Sequence, residues 1–101
     1  MTPEKAHAQR VNILKNCIDE LSVVLSVKTS NQRTALELLR RNLNDYPDFE
    51  LSGKLQKADR FTVLAISKIN YGLLGDLPAK NALRETYNYL CESLSVLVDK
   101  N

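Results

Sequence analysis

The chain has 101 residues, of which 44% are hydrophobic and 26% are charged, and its net charge is +2. A chain of this length buries roughly 60–70% of its unfolded surface, so residues 1–101 are expected to fold as a single domain. The apolar content argues against disorder, and the mild charge argues against a nucleic-acid partner, which requires a strong basic excess on one face.

The N-terminal segment, MTPEKAHAQR, is polar and shows no signal-peptide pattern. The longest apolar stretch, 61–66, is interrupted by Thr62 and is far shorter than the ~20 residues that span a bilayer. We therefore expect a cytoplasmic protein. In that compartment Cys17 and Cys91 are expected to be free thiols, packed on the apolar faces of the first and last helices.

The first helix is expected at about 3–26. Thr2 followed by Pro3 is typical of a helix start, because the hydroxyl caps a free amide and proline is tolerated in the first turn. Apolar residues then recur at alternating three- and four-residue steps, which places them on one face: Val11, Leu14, Ile18, Leu21 and Leu25.

The second helix is expected at about 31–45, because Thr29 and Gln32 have capping-box spacing and Pro47 disfavours helix at the residue before it. Its apolar stripe contains Leu36, Leu39 and Leu43, with Ala35 and Leu38 beside it. The linker that follows carries three large apolar side chains, which we expect to pin it over the end of the bundle: Tyr46, Phe49 and Leu51.

The third helix is expected at about 52–71. Its centre, FTVLAI, is rich in β-branched residues and taken alone could be a buried strand, but its flanks favour helix and no second strand is available for pairing. Since this segment is apolar almost all round, we expect the third helix to be the most buried of the four.

The stretch NYGLLGDLPAKNAL contains two glycines, an aspartate and a proline, and we interpret residues 72–76 as a corner between two helices. Gly72 is expected in the left-handed position that ends a helix, and Asp76 is expected to cap the next one. A phosphate-binding loop would instead require a Gly-rich turn after a strand. Two alternatives are open for Leu73 and Leu74: they cover the core, or they contact a partner.

The fourth helix is expected at about 77–98, with the most regular stripe in the chain: Leu83, Tyr87, Leu90, Leu94 and Leu97. Tyr89 and Val96 lie on a second apolar side, which either widens the core stripe or permits dimerisation, so monomer and weak dimer are both open. Long helices joined by short connections pack antiparallel. The sequence therefore predicts an all-α, antiparallel up-down-up-down four-helix bundle.

Residues with catalytic or metal-binding chemistry are sparse. Glu4 and His7 have the spacing of half a di-iron site, but such sites need two of these motifs and the chain has one histidine, so we expect no metal and no other cofactor. No cationic neighbour is predictable for Cys17 or Cys91, the nucleophiles of a small-enzyme hypothesis, so we expect no enzyme and no small-molecule substrate. Charges of alternating sign on the second and third helices, including Asp59, are expected to form a solvated surface.

As a bundle, the chain resembles the immunity proteins of pediocin-like (class IIa) bacteriocins of Gram-positive bacteria, which are cytosolic antiparallel four-helix bundles of about this length. The resemblance rests on positions from Pro47 onward: Pro47, Leu51, Leu55, Phe61, Lys68 and Ile69, then a corner and a last helix with regular leucines. Members of that family often carry a C-terminal tail that folds back onto the bundle, whereas this sequence ends at Asn101.

The resemblance implies a non-enzymatic protein that protects the producer cell by recognising a membrane sugar-transporter receptor once the bacteriocin has engaged it. Specificity in the family is associated with the C-terminal half. We therefore expect the recognition surface near one end of the bundle, at Lys68, Tyr71, Leu73, Leu74 and Asp76. The alternative is a small helical adaptor or regulatory module, dimeric through the fourth helix.

Overall fold

The computed structural model describes residues 2–27 and 31–99. Within these residues the chain forms four helices and no strand: α1 (Pro3–Ser26), α2 (Gln32–Leu43), α3 (Gln56–Leu74) and α4 (Ala79–Val98). The predicted all-α fold is confirmed, and FTVLAI is helical. The start of α3, expected near 52, is at Gln56, because Gly53 takes a left-handed φ of 93° that an α-helix does not contain.

Neighbouring helices run antiparallel. As the residue number rises along one helix, the residues that it contacts on the next helix have falling numbers. Between α3 and α4, the hydroxyl oxygens of Thr62 and Ser93 lie 2.8 Å apart, and Thr86 Oγ1 donates to the Ala65 carbonyl at 3.4 Å. Contacts of the same sense join the other neighbours: Gln9 with Asp45, Glu20 with Asn42, Leu36 with Gly72, Tyr46 with Asp59, and His7 with Leu97. α2 and α4 meet across the bundle, and α1 and α3 occupy the longer diagonal.

Leucine side chains fill the space between the helices, and most of the predicted stripe positions are buried: Leu14, Leu21, Leu36, Leu39, Leu43, Leu83, Leu90 and Leu97. Two positions differ from expectation, since Leu25 is exposed near the end of α1 and Leu38 is 46% exposed on α2. The linker between α2 and α3 is pinned mainly by buried Tyr46, with the Phe49 ring 5.4 Å from it. The third linker residue, Leu51, is 89% exposed and does not contribute.

Contrary to expectation, α3 is not buried all round. Thr62, Ala65 and Ile69 face the core, whereas Val63 and Leu64 are exposed. The reason is the close approach of α3 to α4, which favours the small residues of FTVLAI at the interface and leaves larger ones on the outside.

The left-handed residue at the corner is Gly75, with φ of 87°, and not Gly72. The Asp76 N–H donates to the Tyr71 carbonyl at 3.0 Å and the Gly75 N–H donates to the Gly72 carbonyl at 3.3 Å, which together form a Schellman motif. Asp76 is part of this motif and does not cap α4. The N-cap residue of α4 is Pro78, and its side chain makes no capping hydrogen bond.

Gly72 lies inside α3 and serves helix packing instead. A Cβ atom at this position would lie 2.6 Å from the Ala82 Cβ of α4 and 2.9 Å from a methyl carbon of Leu36 on α2. The missing side chain therefore lets three helices approach one another closely.

The two predicted helix-start caps have different outcomes. Thr2 accepts a hydrogen bond of 3.2 Å from the Lys5 N–H, as predicted for α1. At α2 the cap is Asn31, which accepts from the Thr34 N–H at 3.1 Å, and Thr29 of the predicted capping box lies outside the described residues.

Candidate functional site

The residues predicted to form a recognition surface lie in the last two turns of α3 and in the corner after it. Leu74 is 75% exposed, Tyr71 is 49% exposed, and Asp76 is also exposed. Lys68 and Leu73 are partly covered. Tyr71 and Leu74 are three residues apart on a helix, so they lie side by side on the outer face of this end of the bundle. We call Lys68, Tyr71, Leu74 and Asp76 the corner surface.

Of the two alternatives for Leu73 and Leu74, the first applies to Leu73, which covers the core, whereas Leu74 is exposed. Leu73 packs against the core, and its carbonyl oxygen accepts a hydrogen bond of 2.9 Å from Nη1 of Arg33 at the start of α2. Leu74 faces solvent, and Gly75 ends the helix directly after it in a closed hydrogen-bonded motif. Leu74 is therefore presented on an ordered helix end.

Lys68 is oriented by two neighbours. Its Nζ lies 3.4 Å from Oε1 of Glu85 on α4 and 6.0 Å from the centre of the Tyr71 ring. Exposed pairs of this kind contribute little to stability, but they place a positive charge beside the apolar part of the corner surface.

The exposed apolar side continues from the corner surface along α3. Leu64, Tyr71 and Leu74 follow seven- and three-residue steps, so they share one side of the helix with Ser67 between them. Val63 is exposed beside this side. The sequence analysis expected Val63 and Leu64, in the apolar centre of the helix, to be buried, and that expectation was wrong.

A buried polar cluster lies at the opposite end of the bundle, where sequence reasoning expected Asp59 on a solvated surface. Arg10 and Asp59 are almost fully buried, and Arg10 donates from Nε to Oδ1 and from Nη2 to Oδ2, both at 2.9 Å. The same guanidinium donates to the Ala6 carbonyl at 3.3 Å and to the Asp48 carbonyl at 2.9 Å. The cluster thus joins α1, the linker and α3.

Asp59 is the centre of this cluster. It also accepts hydrogen bonds from the Tyr46 hydroxyl at 2.6 Å and from the Glu50 N–H at 2.8 Å. Burial raises the pKa of Asp59, but the hydrogen bonds from Arg10, Tyr46 and Glu50 outweigh burial and hold that pKa below its ordinary value. Burial, and next the bond to Asp59, raise the pKa of Tyr46. The carboxylate is saturated by protein donors, so the cluster positions the linker.

The cysteines and the histidine that were considered for catalysis or metal binding make packing contacts or hydrogen bonds within the bundle. Cys17 is buried, Cys91 is partly buried, and both are free. Burial, with Glu20 adding to it, raises the pKa of Cys17 to about 12, so this thiol is protonated at neutral pH. His7 donates from Nε2 to the Leu97 carbonyl at 2.9 Å. In the described part of the chain, no group of side chains could hold a metal ion, and no helix has the length and apolar content to cross a membrane.

Comparison with known proteins finds no relative: no family model, curated protein or solved structure matches the chain.

Proposed function

We propose that this protein is a non-enzymatic binding protein that confers immunity to a pediocin-like bacteriocin. It acts from the cytoplasmic side of the membrane and recognises the sugar-transporter receptor that the bacteriocin has engaged, so that the open pore is blocked. The support is architectural: a single antiparallel four-helix bundle of about the length of those immunity proteins.

The observation that carries the proposal is the exposure of Leu74 on an ordered helix end. A leucine in this position contributes almost nothing to the free energy of folding, because most of its apolar surface stays in contact with water. Beside it, Tyr71 is of a residue type enriched in protein interfaces, and the charges of Lys68 and Asp76 flank the pair as a polar rim. This arrangement supports recognition of a protein partner.

Survival of a sensitive Gram-positive strain tests the proposal. Cells that express the protein should survive a pediocin-like bacteriocin that kills the same strain without it. Leu74→Ser should remove this protection and leave the melting temperature unchanged, because the side chain contributes little to the core. Leu51→Ser is the matched control, since Leu51 is an exposed leucine at the opposite end, and it should keep protection.

Two outcomes would contradict parts of the proposal. If a panel of such bacteriocins kills expressing and control cells equally, the immunity function is wrong. If Leu74→Ser protects as well as the unmodified protein does, immunity stands and the corner surface is not the recognition surface.

A helical adaptor is the second candidate, and a different observation favours it: an apolar groove between α1 and α2, whose walls include the exposed Leu38. The dimer face expected at Tyr89 and Val96 is partly buried, and both side chains pack against the core, with the Tyr89 ring centre 6.4 Å from that of Phe61. A mass in solution that rises with protein concentration would favour a dimeric adaptor.

A further inference from the structure

A groove runs along the α1–α2 pair, whose contacts are the sparsest among neighbouring helices. One part of it has a volume of about 290 Å³ and an almost wholly apolar lining: Leu21, Val23, Val24, Ala35, Leu38 and Leu39. Val23 is 62% exposed on one wall, and Leu38 is exposed on the other. This part of the groove therefore presents apolar walls to solvent.

The groove continues toward the start of α1 as a polar trough of about 420 Å³, and Glu20 lines both parts. Asp19, Glu20 and Asp45 supply three carboxylates to the trough, and no basic residue lines it. Asn42 Nδ2 lies within 3.2 Å of both Glu20 carboxylate oxygens and holds that side chain in place. Within the part of the chain that is described, no ion pair neutralises Asp19 or Asp45.

We propose that the α1–α2 groove docks an amphipathic helix of a protein partner, with apolar side chains at one end of its inner face and lysine or arginine at the other. Charge complementarity selects this occupant, because the carboxylates attract a cationic segment and repel an anionic lipid surface or nucleic acid. The site is separate from the corner surface and does not depend on the immunity function.

The length and the apolar lining of the groove favour a helix over an extended segment. The groove runs from Ile13 to Val24, which are twelve residues of α1 and extend over about 16 Å, or three helical turns. An extended segment would press backbone N–H and C=O groups against apolar walls without hydrogen-bond partners. A helix satisfies its own backbone and presents apolar side chains at three- and four-residue spacing.

Binding of a designed peptide tests the site. The probe is a dye-labelled, end-blocked peptide of about 14 residues, built on alanine, with leucines on one face of one half and lysines continuing that face in the other half. A second peptide with the two halves exchanged covers the opposite orientation. Fluorescence anisotropy with the full chain should show saturable binding of one of the two, weakened by added salt. Replacing its lysines with glutamate should weaken binding at least about tenfold.

Variants of exposed groove residues connect the binding to this site. Val23→Ser should weaken binding by about tenfold, and Asp19→Asn by about threefold, with melting temperatures unchanged because both side chains are exposed. Leu51→Ser changes an exposed leucine that does not line the groove, and this variant should bind as the unmodified protein does.

The proposal is overturned if neither peptide binds, if the glutamate version binds equally well, or if both variants keep full affinity. A dimeric mass in sedimentation that becomes monomeric on Leu38→Ser also overturns it, because a second copy of the chain would then occupy the groove.

Discussion

At the scale of single residues, Arg10 and Asp59 place opposite charges in the interior, where an unpaired ion is costly. The side-chain nitrogen and oxygen atoms buried in the described residues all have hydrogen-bond partners, and this pair is no exception. A buried pair of this kind is weak evidence for net stability, but the loss of one partner leaves a charge with no compensation. Its clearest effect is to hold α1, the linker and α3 in one arrangement.

Asp59→Ala should lower the free energy of unfolding by about 3–5 kcal/mol, because Arg10 would stay buried without its carboxylate. Urea unfolding at neutral pH measures this loss. Glu37→Ala is the control, since Glu37 pairs with Arg33 on the surface at 3.6 Å and its loss should cost less than about 1 kcal/mol. A cost for Asp59→Ala as small as that of the control would contradict the role given to the cluster.

The lowered pKa of Asp59 predicts a specific acid dependence of stability. Its folded-state pKa lies below the unfolded value of about 3.9, so the stabilisation is complete above that value and is lost as pH falls from there through the folded-state pKa. The stability difference between the unmodified protein and Asp59→Asn should therefore shrink by up to about 1.4 kcal/mol per pH unit over that interval. Urea unfolding over a series of acidic pH values checks this. A difference that stays constant with pH would show that Asp59 does not carry the effect.

At the scale of elements, the α3–α4 pair depends on small residues. Gly72 lies against Ala82, and Thr62 and Ser93 share a hydrogen bond deeper in the same interface. Small side chains let the two helices approach closely and bring the hydroxyl groups within reach of each other. The corner is short because Gly75 ends α3 directly after Leu74.

Gly72→Ala should destabilise the protein by about 1–2 kcal/mol, because the new Cβ would crowd Ala82 and this outweighs the better helix propensity of alanine. Thermal unfolding measures the change. The double variant Gly72→Ala with Ala82→Gly should be more stable, by at least about 0.5 kcal/mol, than the sum of the two single changes in the free energy of unfolding predicts.

Gly75→Ala is the control. A Cβ atom at this position would have nothing within 4 Å, so the variant should lose about 1 kcal/mol through backbone strain alone, and Ala82→Gly should not relieve that loss. If Ala82→Gly reduced the stability loss of Gly72→Ala and of Gly75→Ala equally, the packing role of Gly72 would be wrong.

At the scale of the whole molecule, the two ends of the bundle differ. The end with the linker between α2 and α3 is fixed by the Arg10–Asp59 cluster and by the hydrogen bond from His7 to Leu97. The other end carries Tyr71 and Leu74, and the apolar part of the α1–α2 groove opens near it. The corner surface and the apolar part of the groove thus lie toward one end, and the acidic part of the groove extends toward the linker end, where Asp45 lines it.

The sequence by itself determined the helical class, the number of helices, their approximate bounds and their antiparallel order. These features depend on local signals that act within a few residues: the periodic apolar stripes, the Thr2 cap, Pro47 and the short corner. The corner, predicted at 72–76, lies at 75–78, so its place between the last two helices was predicted to within about three residues.

Only the tertiary structure decided which of several similar residues takes each role. Arg10 and Asp59 are 49 residues apart, and no local pattern distinguishes them from the exposed charges around them. Gly72 and Gly75 are chemically identical, and the contacts of Gly72 with α4 and α2 decide which one packs and which one ends the helix. Likewise, Leu73 covers the core and its neighbour Leu74 does not. Burial depends on the helices that surround a residue, and those helices come from distant parts of the chain.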